Sequence, residues 1–205
     1  MITVLLLIFD PSGTWEKIGT FPRQNIARIF LTYLLPLLIL SIAVESLGLM
    51  KLGMWEGEFS PRLVKPSQEL VIRYQTAQLI LDLFIIFVGS WLFQSMAQGF
   101  HRHHTYSESF ATLAYSLGPL YMARMLDGIP AMNTWICYGI GVLLSIAALY
   151  RGIPRVMKPD PSNALGLYLM ASLCLLVISG LAHLLAVWVL EQKVLVHGFH
   201  FSATL

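Results

Sequence analysis

Five ionisable side chains stand within or against apolar sequence, where charge is costly: Glu45, Asp82, Arg124, Asp127 and His183. A charged residue costs roughly 2.5 to 3.5 kcal/mol at the centre of a membrane helix, so such groups pair with one another or mark a path for protons, ions or solutes. Gln75 and Gln78 precede Asp82, and Gln78 shares its helical face at i, i+4 spacing, which widens the polar patch. Two kinds of chemistry fit these residue types. One is a solute, ion or proton site in a cavity open to one membrane face, with Asp82 and Arg124 as its charged elements. The other is a structural lock in which Asp82 pairs with Arg124 while Glu45, Asp127 and His183 reach towards the headgroups. The lock is favoured, because at about 1.5 Å per residue all five fall in the same half of the membrane and escape the full penalty.

The elements that must position these residues are apolar runs. Hydrophobic residues make up 57% of the chain and charged residues 12%, against about 25% charged in an ordinary soluble domain. A crossing needs about 20 apolar residues. Windows of that kind cover residues 29–49, 77–97, 131–150 and 164–190. Residues 110–123 form a shorter one, interrupted by Pro119 and followed by Arg124 and Asp127. It reads as a kinked crossing whose freed carbonyl a neighbouring helix must satisfy, with a re-entrant hairpin as the alternative. The runs lack the alternation of barrel strands. The expected fold is all-α: a polytopic bundle of five transmembrane helices over residues 26–205, preceded by a short N-terminal interfacial segment over residues 1–25.

That N-terminal segment begins with an apolar stretch, but no Lys or Arg precedes it and Asp10, Pro11, Ser12 and Gly13 replace a small-residue cleavage site. Ser12 is a candidate cap for a helix with Trp15 and Ile18 on one side and Glu16 and Lys17 on the other, suited to the membrane surface.

Five crossings place the two ends of the chain on opposite sides. With the N-terminus cytoplasmic, that side carries Lys17, Arg23, Arg28, Arg102, Arg151, Arg155 and Lys158. The far side carries Lys51, Arg62, Lys65, Arg73, Arg124 and Lys193. The compact turn with Arg151, Arg155 and Lys158 tips the balance, since short connections weigh most in orientation. Trp55, Trp135 and Trp188 then fall at the outer ends, and Trp15, Tyr106, Tyr150 and Tyr168 at the inner ends.

Other classes have little footing. A net charge of +2 without a basic, aromatic-laced run gives no nucleic-acid footprint. Cys137 and Cys174 fall at different depths and read as apolar fillers without a disulfide. His101, His103 and His104, with His197 and His200, are separated by the membrane and lack carboxylate or thiol partners at ligand spacing, so neither a metal nor a haem is expected. With no catalytic constellation in the sequence, no enzyme and no cofactor are expected. Gly141 with Ser145, and Ala182 with Ala186, are small pairs four apart that allow close packing inside the bundle.

The segment TYSESFATLAYSLGPLYMARML, residues 105–126, resembles the signature of the Yip (Ypt-interacting protein) domain family, with its Tyr-Ser-x-x-Pro element at Tyr115, Ser116, Leu117, Gly118 and Pro119. The opening DPSGTWEKI is similar to the family's Pro-containing amphipathic start, and residues 150–165 resemble the basic turn before its last crossing. The resemblance implies a five-span fold rather than a reaction. Eukaryotic members are associated with Rab-type GTPases through a longer cytosolic tail. Here only about 25 residues precede the first crossing and the Asp-Leu-Tyr-Gly-Pro element is absent, so the chain resembles the compact prokaryotic branch, which implies a bacterial inner membrane. The functional expectation is a non-enzymatic scaffold or accessory subunit that contacts lipids and other membrane proteins or itself, and tunes local lipid organisation. A carrier or channel built on the polar cluster is the alternative.

Overall fold

The computed structural model describes residues 2–20, 25–56, 62–99, 105–160 and 162–201, and beyond residue 189 only the backbone. Helices α1 (Ile2–Phe9) and α2 (Pro11–Gly19) form a short pair. Next come α3 (Ile26–Ile29), a π-helical segment (Phe30–Leu34) and α4 (Leu35–Leu52), which stack into one rod, Ile26–Leu52. Pro36 has no N–H to continue the ladder, and the π segment absorbs that loss: Leu35 N–H reaches back to the Phe30 carbonyl. Gly53, at φ 84, ends α4. An antiparallel hairpin of β1 (Met54–Glu56) and β2 (Arg62–Val64) follows, with Trp55 opposite Leu63. The remaining helices are α5 (Gln68–Gly99), α6 (Tyr106–Ser116), α7 (Gly118–Arg124), a 3-10 turn (Met125–Gly128), α8 (Thr134–Val156) and α9 (Ala164–Phe201).

Among the described residues, four helices are long and apolar enough to cross a membrane: Ile26–Leu52, Gln68–Gly99, Thr134–Val156 and Ala164–Val189. The expected run at residues 110–123 is not among these four, and it is broken beside Pro119 as its sequence suggests. It is two helices, α6 and α7, meeting at Leu117, and it is wrapped by the others. Phe110, Ala111, Ala114, Leu117 and Tyr121 are 0–1% exposed, while α5, α4 and α8 pack around it.

Polarity in this bundle is inverted relative to a water-soluble protein. Glu45, Asp82, Ser109, Thr112 and Ser145 are buried, whereas Ile39, Ile80, Phe84, Trp91, Leu143, Leu173 and Leu184 face outward. Contiguous exposed apolar surface on this scale needs a lipid or protein cover. Small residues let the helices approach closely. A Cβ on Gly141 would stand 2.9 Å from Leu120 and 3.0 Å from Ala123, which places the Gly141–Ser145 face of α8 directly on α7.

The N-terminal segment differs from expectation in its cap and in what covers its apolar face. Asp10, not Ser12, caps α2 by accepting from Gly13 N–H, with Pro11 at the first turn. Glu16 and Lys17 are exposed, and Trp15 and Ile18 are buried. Their apolar face meets protein: Trp15 is fully buried against Gly152 of α8. Trp15 is therefore a core residue and not an interfacial anchor. Val4 of α1 reaches Gly118 at the start of α7. Both cysteines are free.

Candidate functional site

The polar cluster forms at the end of the bundle that carries the β hairpin. Its centre is Arg124, at the last turn of α7. The guanidinium donates through Nε to Glu45 of α4 at 2.9 Å and through Nη1 to Asp82 of α5 at 2.5 Å. Through Nη2 it donates to Gln75 at 3.2 Å and also to Gln78, both on α5. The side-chain amide of Gln78 in turn donates to the Tyr74 hydroxyl at 3.0 Å. Gln75, Gln78 and Asp82 follow i, i+3, i+7 spacing and so point from α5 towards one place. Glu45 is 1% exposed and Asp82 6%, so these are charges removed from solvent and held by each other.

Arginine suits this position because its fork carries five donors in fixed geometry and stays charged in protein. Four of those donors are taken up by side chains from two other helices. The lock foreseen between Asp82 and Arg124 thus exists in a larger form. Glu45 does not reach for the headgroups; it is a full partner of the guanidinium. His183 does not reach for them either. It lies against the Tyr138 ring, with centroids 4.5 Å apart and planes 10° from parallel, and edge-on to Trp135 at 5.0 Å. Asp127 accepts from the Thr134 hydroxyl at 2.6 Å, bridging the 3-10 turn and α8.

Close backbone contact fixes the turn that carries Asp127. A Cβ on Gly48 would fall 2.2 Å from the Gly128 carbonyl oxygen, so α4 and the turn touch through glycine at both positions. An open vestibule of about 510 Å³ lies over this region, lined in part by Glu45, Tyr74, Asp127, Trp55 and Trp135.

The break in the central helix has its own chemistry. Pro119 offers no N–H to the carbonyl four residues earlier, Tyr115. The Tyr33 hydroxyl, from the π segment, donates to that carbonyl at 3.4 Å, and the two tyrosine rings lie 4.5 Å apart. One further bond of the same kind joins Ser41 Oγ to the Tyr121 carbonyl at 3.1 Å. Comparison with protein families returned a match to the Yip1 domain over residues 5–193. The chain belongs to the Yip1 domain family. No curated protein and no solved structure matches it. In this Yip1 domain, Tyr115 and Pro119 of the family-like element are the two ends of the interrupted helical bond, and Ser116 is buried between them.

Sequence reasoning found Glu45, Asp82, Arg124, Asp127 and His183, together with Gln75 and Gln78. It did not find Tyr33, Tyr74, Tyr121 or the Gly48–Gly128 contact, whose roles depend on helices distant in sequence. Among the described residues, no group of three or more His, Cys, Asp or Glu side chains is arranged to hold a metal ion. His101, His103 and His104, with Arg23 and Arg102, lie outside the described residues, as do the side chains of Lys193, His197 and His200.

Proposed function

We propose that this Yip1-domain membrane protein is a non-enzymatic scaffold or accessory subunit of a membrane assembly, with lipids, other integral membrane proteins or a second copy as its partners. The observation that carries this reading is the Arg124 tie. Four of the guanidinium's donors are committed to Glu45, Asp82, Gln75 and Gln78, which binds α4, α5 and α7 together. Below the cluster the neighbouring void is apolar, lined in part by Ile85, Gly89, Phe93, Leu113, Leu149 and Leu175. This composition favours a scaffold over a carrier, which needs a polar route to both faces.

In this reading α6 and α7 together provide the fifth crossing. Their residues 106–124 span about 28 Å at 1.5 Å per residue, close to the hydrocarbon thickness. The α1–α2 pair lies on the cytoplasmic side of a bacterial inner membrane with Lys17, Arg28, Arg151, Arg155 and Lys158, and the hairpin and Trp55, Trp135 and Trp188 lie on the other. Lipid organisation is influenced through the outward apolar faces of α5, α8 and α9. Purification in mild detergent, followed by mass measurement of the intact complex, tests the reading. A stoichiometric partner or a defined oligomer is expected; a lone monomer in every detergent and in lipid discs would overturn it.

A further inference from the structure

Between α5, α7, α8 and α9 lies a partly open cavity of about 40 Å³, with Gln78, Asp82, Tyr121, Arg124, Asp127 and His183 on its polar side. Two groups lining it lack a hydrogen-bond partner: the Tyr121 hydroxyl, on a residue 1% exposed, and Nε2 of His183. A hydroxyl or imidazole nitrogen buried without a partner is costly. A cavity needs on the order of 10–15 Å³ to admit one water, and two to four polar partners to hold it. This cavity meets both conditions.

Charge supplies an independent argument. The groups that face the cluster are Glu45 from α4, Tyr74 and Asp82 from α5, Tyr121 and Arg124 from α7, Asp127 from the 3-10 turn, Cys137 and Tyr138 from α8, and His183 from α9. Three are carboxyl groups and one is a guanidinium. With every carboxyl ionised, the cluster would hold two negative charges in excess of Arg124 in a medium of low dielectric, and proton uptake removes that penalty. Asp127 lines both this cavity and the vestibule. On the opposite side, the neighbouring void is apolar and only about 10 Å³.

We propose that the cavity is a hydrated proton-binding site served from the vestibule alone. Water held by Tyr121 and His183 passes an exchangeable proton among Asp127, Asp82 and His183. Uptake transfers a proton from hydronium in the vestibule to a carboxylate oxygen and leaves water behind; release reverses it. No other bond changes.

The test is infrared difference spectroscopy of the purified protein in lipid discs, taken between mildly acidic and mildly alkaline buffer. A protonated-carboxyl band should appear, shift in heavy water, and vanish in the D82N/D127N double variant. Tyr121→Phe removes only a hydroxyl with no protein partner, so the variant should fold normally while the band shifts. In oriented liposomes the band should follow a pH jump on the hairpin face and ignore one on the other. A band absent in the parent protein, surviving in D82N/D127N, unmoved by Tyr121→Phe or responsive from both faces would overturn the proposal. If the double variant does not fold, the Tyr121→Phe and pH-jump results decide the matter alone.

Discussion

Arg124 and Asp82 stand in an asymmetric relation that mutation exposes. Removing the guanidinium strands two buried carboxylates and two amide oxygens, and breaking such a pair from one side costs about 3–5 kcal/mol. Replacing Asp82 by Asn retains an acceptor oxygen of the same shape and leaves Arg124 with Glu45. Thermal unfolding followed by size-exclusion chromatography should therefore show Arg124→Met aggregated or severely destabilised. Asp82→Asn should lose no more than about 1–3 kcal/mol. Equal losses would mean that the cluster does not centre on the guanidinium. These residues were legible in the sequence because charge within an apolar run is expensive and must have a reason. Gln75 and Gln78 followed from their spacing to Asp82. The tyrosines were not legible, since Tyr33, Tyr74 and Tyr121 are amphipathic residues at home in any membrane helix, and only the folded bundle gives their hydroxyls a direction.

At the scale of elements, the broken α6–α7 helix depends on a bond supplied from outside it. The Tyr115 carbonyl freed by Pro119 is met by the Tyr33 hydroxyl at 3.4 Å, a long bond whose net contribution falls at the low end, about 0.5 kcal/mol. Tyr33→Phe should lower stability by about that amount. Pro119→Ala restores a local N–H, so in the double variant the Tyr33 substitution should cost less than it does alone, a coupling that a double-mutant cycle of thermal midpoints would measure. Additive effects would show that the hydroxyl and the proline are unrelated. The sequence displayed Pro119 and the need for an external donor, but not the donor's identity. The long helices were legible from their apolar runs to within a few residues at most ends, although α5 begins at Gln68, well before the apolar window at 77–97. Its first turns are polar and are stabilised by tertiary contacts such as Val71 and Tyr74 in the core. The short hairpin escaped notice, since three-residue strands carry too little periodicity to register. The amphipathicity of α2 was visible too; that its apolar side meets α8 depends on Gly152 leaving room for the Trp15 ring.

For the whole molecule, inverted polarity is the governing fact: carboxyl, amide and hydroxyl groups inside, leucine and aromatic surface outside. In hydrocarbon, apolar burial between helices drives little association, so packing through small residues and internal polar bonds must hold the bundle together. Both devices are present, at Gly141 against α7 and at the Arg124 tie. Composition made the membrane class plain from the start. The number of crossings was harder to read, because α6–α7 is short, interrupted and enclosed by its neighbours, features that composition does not distinguish from a buried helix of another kind. An odd number of crossings sends the two ends of the chain to opposite compartments, and this follows only if α6–α7 traverses the membrane. Paired reporter fusions at the N-terminus and the C-terminus measure it directly. The account predicts a cytoplasmic signal from the first and a signal from the opposite compartment from the second; both reporters active in the same compartment would contradict it.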